Sequence, residues 1–203
     1  MENDLKQLIG KNEKIMYEGR PNKKCYIFES FFNPLFPFAL LWAIIDFTMI
    51  GVFLGTGDDE FKLFIIPFFL LHLMPVWIYL GGILLTFRRY RNTYYIVTDN
   101  GVYTSSGVFS KSYNSKPFQE MSRVNLHRGI FDQVFGVGDI IITTNQLNDR
   151  GVAENMKISS ISNYTEVYNL VKKLQTDIYT DSMYPNDMRP KENHGYNTEY
   201  KGL

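Results

Sequence analysis

The chain has 203 residues, balances 21 Lys and Arg against 21 Asp and Glu, and has a mean hydropathy of −0.18. A neutral total argues against a nucleic-acid binder, which carries a basic excess on its binding domain. The single cysteine, Cys25, excludes an internal disulfide and a thiolate metal cluster. These averages resemble those of an ordinary soluble protein, but the residues behind them are unevenly placed.

In residues 1–33, Leu5, Leu8 and Ile9 predict a short helix that Gly19-Arg20-Pro21 interrupts, and the segment carries Lys6, Lys11, Lys14, Arg20, Lys23 and Lys24. Pro34–Leu54 follows as 21 residues with one charge, Asp46; Leu63–Phe87 is 25 residues with no Asp, Glu, Lys or Arg. Each run reaches the roughly 20 residues that a helix needs to cross a bilayer. A transmembrane helical hairpin is therefore expected over 34–87, with an outer loop at 55–62. The first span lies too far from the N-terminus and lacks the small-residue cleavage site of a processed leader. Positive residues flank both outer ends of the hairpin, while the loop holds Asp58, Asp59 and Glu60 against Lys62. This pattern places both termini in the cytoplasm. Arg88, Arg89 and Arg91 with Tyr90 read as a membrane-surface anchor, and the same collar can hold anionic headgroups. Phe31, Phe32, Phe36 and Phe38 read as an interfacial aromatic belt.

Beyond the arginines the pattern changes to short strands separated by turns. Tyr94–Thr98 and Gly101–Ser106 face each other across Asp99-Asn100-Gly101, a strong hairpin signal. Further strands are predicted at 108–113, 117–126, 137–145 and 155–161. Asn163 and Glu166 then form a variant capping box, and Val167, Leu170, Val171, Leu174 and Ile178 recur on one helical face. About six strands closed by one amphipathic helix predict a mainly-β domain over 92–178, and residues 179–203 read as a disordered tail. The expected fold class is thus an α+β membrane protein, a two-helix hairpin followed by two antiparallel sheets capped by a C-terminal helix.

A search for chemistry finds no phosphate-binding glycine loop, no His-Glu-x-x-His and no Gly-x-Ser-x-Gly. His72, His127 and His194 are scattered and give no metal set, so no metal, cofactor or catalytic residue is expected. Arg123, His127, Arg128, Asp132 and Asp139 are close in sequence and read as a solvated rim or a ligand groove. Inside the hairpin, Asp46 and His72 both lie roughly 14–15 Å from the outer loop at about 1.5 Å rise per residue. An ionisable residue at that depth is costly and calls for a partner. Asp46 and His72 are expected to meet, either as interhelical glue or as a proton-sensitive site.

The order of Glu18-Gly19-Arg20-Pro21, two spans, Tyr94-Tyr95-Ile96-Val97-Thr98-Asp99-Asn100-Gly101-Val102 and Gln133 to Thr144 (QVFGVGDIIITT) resembles the bacterial pleckstrin-homology-like membrane proteins over about residues 13–178. The resemblance implies a PH-like fold and brings no catalytic residues. Phosphoinositide-binding PH domains carry a basic loop between their first two strands, and Asp99-Asn100-Gly101 has no cation. The expected function is a non-enzymatic, membrane-tethered interaction module at the bacterial plasma membrane. Its expected partners are the lipid bilayer and a protein partner or second copy, with no nucleotide and no nucleic acid. Two other readings stay open: anionic-lipid sensing by the arginine collar, and a subunit of a transport or stress-response complex that uses Asp46 and His72.

Overall fold

A computed structural model describes residues 2–56, 59–147 and 151–183. The tip of the expected outer loop, 57–58, and the tail from 184 onward, with His194, lie outside the described residues. The chain divides into two units, one made of residues 1–26 with 92–203 and the other of 27–91.

The first unit holds seven strands in two sheets. The four-stranded sheet runs in the order β1 (Ile15–Gly19), β2 (Tyr94–Thr98), β3 (Gly101–Ser106), β4 (Ser112–Pro117), all antiparallel. The three-stranded sheet is β5 (Met121–His127), β6 (Gly138–Leu147), β7 (Ala153–Ile161), also antiparallel. The β unit is therefore wider than residues 92–178, because its first strand precedes the apolar segment and pairs with the strand that follows it, Gly19 facing Tyr95. Every residue of β2 is buried because both its faces are covered. Tyr95 and Val97 join Val102, Phe118, Ile140, Ile142 and Ile158 in the main core. Tyr94 and Ile96 pack on the other face with Leu5, from a short N-terminal helix α1 (Glu2–Lys6), and with Ile9 and Tyr103. Glu13 fastens the same segment, accepting hydrogen bonds from Thr98 Oγ1 (2.8 Å) and Tyr103 OH (2.9 Å).

Two predicted strands shift. Gly107, at φ +143°, starts a turn, so the strand expected at 108–113 begins only at Ser112. Pro117 ends that strand, and Phe118–Glu120 forms a 3-10 turn before β5, which splits the run expected at 117–126.

In the second unit, α2 (Lys23–Phe31), which begins within the first unit, leads to α3 (Phe36–Thr56), α4 (Asp59–His72) and α5 (Met74–Asn92). α3 is long and apolar enough to cross a membrane. The second expected span is not one straight helix: Leu63–His72 and Met74–Asn92 meet at 53° and reach a span's length only as a pair. Pro75 is the cause, since it has no N–H for the carbonyl four residues back and disfavours helical backbone in the residue before it.

After β7, α7 runs Tyr164–Met183 and buries Val167, Val171 and Leu174 in the main core. The helix extends past 178, so residues 179–183, read as tail in the sequence, are helical.

Candidate functional site

The hairpin brings Asp46 of α3 and His72, the last residue of α4, together. Nδ1 of His72 lies 2.9 and 3.0 Å from the two carboxylate oxygens, and Asp46 is only 1% exposed. The imidazole is stacked with Trp42 (centroids 5.0 Å apart, 28°) and Phe68 (5.4 Å, 18°). With Nδ1 carrying its proton, the ring donates to both oxygens and satisfies a carboxylate that would otherwise be buried without a donor.

The break beside this pair explains both tryptophans. In an unbroken helix the Leu70 and His72 carbonyls would accept from residues 74 and 76. The Val76 N–H bonds instead to Leu73 O (2.9 Å). Trp42 Nε1 donates to the His72 carbonyl (2.8 Å) and Trp77 Nε1 to the Leu70 carbonyl (3.0 Å). The indoles thus replace hydrogen bonds lost at Met74-Pro75, a repair that an apolar surrounding demands. Arg88, Arg89 and Arg91 lie exposed in the last turns of α5, with Tyr90 half-buried among them.

In the β unit the charged residues flagged in the sequence have separate tasks. α6 (Ile130–Phe135) connects β5 to β6, and Asp132 Oδ2 accepts from the Gly129 N–H (2.8 Å) at its N-terminus. Asp132 Oδ1 also lies 3.7 Å from Cys25 Sγ. Arg128 Nε donates to Val137 O (2.9 Å), and its guanidinium lies over the Tyr164 ring at 4.7 Å. Asp139 takes Lys157 Nζ (2.7 Å) and the backbone N–H of Ser160 (2.7 Å), with His127 Nδ1 at 4.0 Å. His127, Asp132 and Asp139 are close enough to share an ion, but the two acids already serve a helix cap and a strand bulge. Arg123 is exposed on β5.

The glycines of the QVFGVGD stretch also have physical reasons. Gly136 ends α6 at φ +66°, a left-handed conformation that costs other residues energy. A Cβ on Gly138 would meet the Tyr164 ring at 2.8 Å.

Asn22 was not singled out from the sequence. It caps α2 through Oδ1, which accepts from the N–H groups of Lys24 and Cys25, and its own N–H bonds to the Ser160 carbonyl (2.6 Å). The available signal was an Asn directly before a helical run. A recess of about 900 Å³ opens between β4 and β7, lined by Thr104, Tyr113, Lys116, Glu154 and Met156 among others, with Lys116 paired to Glu154.

The family model described as the bacterial PH domain matches residues 40–175, taking in most of the apolar hairpin as well as β2 through the first part of α7. No curated protein and no solved structure matches the chain.

Proposed function

The chain belongs to the bacterial PH domain family, and we propose that it is a membrane-tethered, non-enzymatic interaction module. A hairpin through the inner leaflet holds the β unit in the cytoplasm, where it binds a protein partner or a second copy. The observation that carries this reading is the pairing of β1 with β2. The two strands lie on either side of residues 27–91 in the chain and share one sheet, so they lie on the same side of any bilayer. The apolar segment between them then crosses an even number of times. One straight span plus a re-entrant loop is odd and does not fit; α3 plus the bent pair α4–α5 makes two and does. Lys and Arg at both outer ends of the segment support the cytoplasm as that shared side.

The module's role as a binder rests on its family. Purification in mild detergent, with mass measured by light scattering and a lysate capture in parallel, tests it. A defined complex or oligomer is expected. A strictly monomeric protein that retains nothing overturns the reading. For the arginine collar, vesicle binding is the discriminating assay: weaker binding to anionic vesicles on Arg88, Arg89 and Arg91→Gln would favour headgroup sensing.

A further inference from the structure

One pole of the β unit collects every connection to the apolar segment. The chain leaves β1 at Gly19, opposite Tyr95, and Asn22 is bonded to Ser160 near the end of β7. Cys25 touches Asp132 of α6. On return, Asn92 donates through Nδ2 to Gly107 O (3.1 Å), and its own carbonyl accepts from Ser105 Oγ (3.0 Å). The β3–β4 turn and α6 therefore lie at this same pole, and Tyr95 OH, which accepts from the Ser159 N–H (3.1 Å), joins the two sheets there.

Among the described residues, the three most exposed large apolar side chains of the β unit all belong to these two elements: Phe109 (80%) in the turn, and Ile130 (79%) and Val134 (74%) four residues apart on α6. α6 turns Asp132 inward and leaves Ile130 and Val134 facing outward. Lys23 and Lys24 stand exposed at the same pole. Apolar tips beside cations are the chemistry of a lipid interface, where side chains sink about 5–10 Å and Lys or Arg meets anionic headgroups.

We infer that this pole is a membrane-docking surface, with Phe109, Ile130 and Val134 inserting into the interface of the bilayer that holds the hairpin. The inference rests on the proposed tether. It names the bilayer, not a second protein, because the chain enters and leaves the apolar segment through this pole. The exposed apolar Leu147 (66%) lies at the opposite pole, paired with Ala153 at the far end of a nine-residue β7, about 26 Å away at about 3.3 Å per residue.

The test uses the full chain in liposomes with and without bromine on the lipid acyl chains. A thiol-reactive fluorophore is placed in turn by Phe109→Cys, Ile130→Cys, Val134→Cys and Leu147→Cys; the unsubstituted protein, whose Cys25 is buried, is the labelling blank. Both native tryptophans, Trp42 and Trp77, lie in the apolar unit and report its insertion in the same samples. The expected result is loss of tryptophan emission in brominated lipid, with blue-shifted and quenched labels at 109, 130 and 134 and neither change at 147. Quenched tryptophans with unquenched labels at 109, 130 and 134 overturn the docking surface and leave the tether standing. A blue shift there without bromine quenching assigns the pole to protein contact and overturns it too, as does equal quenching at 147. Unquenched tryptophans overturn the tether and the docking surface together.

Discussion

At the scale of single residues, the Asp46–His72 contact is geometrically complete and open to measurement. Interhelical hydrogen bonds in apolar surroundings contribute about 1 kcal/mol. A double-mutant cycle of Asp46→Asn and His72→Gln, followed by denaturation in mild detergent, is expected to give a coupling energy of about that size; strictly additive losses would contradict the pairing. Ser160 is the one non-glycine residue at positive φ (52°) among those described, and its hydroxyl is buried with no hydrogen-bond partner. Ser160→Gly removes both penalties, each of order 1 kcal/mol, against the backbone entropy that glycine adds to the unfolded chain. A net stabilisation of roughly 1 kcal/mol is expected in thermal or chemical unfolding. Tyr103 behaves differently: burial, then its hydrogen bond to Glu13, pushes its pKa up to about 12 from the usual 10. A raised pKa in the folded state stabilises fully below pH 10 and is lost as pH climbs from 10 to 12. Burial raises Tyr17 and Tyr95 as well, so alkaline unfolding is expected in that window, and Tyr103→Phe should flatten the pH dependence there.

At the scale of elements, β1 decides what counts as the domain. Without it β2 becomes an edge strand with its hydrogen-bonding groups unpaired. A fragment 92–183 is expected to aggregate or to lack a cooperative transition. Joining residues 1–22 to 92–183 through a short Gly-Ser linker should restore cooperative unfolding, because Gly19 and Tyr95 are already partners. Equal behaviour of the two chains in thermal unfolding would contradict the role of β1. The strand escaped the sequence reading because Ile15–Gly19 is short and half-exposed, and the whole apolar segment separates it from its partner. α7 and the pair β2–β3 were legible, since a one-faced apolar repeat and a tight Asp-Asn-Gly turn are local signals. α6 was not, because six residues are too few to show a period and its start depends on Asp132 reaching back to Gly129. The break at Met74-Pro75 was hidden by an apolar run that hydropathy reads as continuous, although the proline was in plain sight. Asp46 and His72 were legible as a pair because helical rise converts residue counts into depth, while the indole repairs depended on the break and so stayed out of reach.

At the scale of the whole molecule, the neutral charge total is the mean of unlike parts. Positive residues flank an apolar hairpin, the β unit is balanced, and its buried acids are committed to caps and bulges. The central proposal is topological: a hairpin inserted between the first two strands of a bacterial PH domain crosses the membrane twice and returns the chain to the side it left. Modification by a membrane-impermeant thiol reagent in intact cells and after lysis tests this most directly, using Lys11→Cys, Gly55→Cys and Lys173→Cys one at a time, with the buried Cys25 as the blank. The account predicts that positions 11 and 173 react only after lysis and that position 55 reacts in intact cells. Reaction of 11 and 173 from opposite sides, or of all three from the same side, would contradict it.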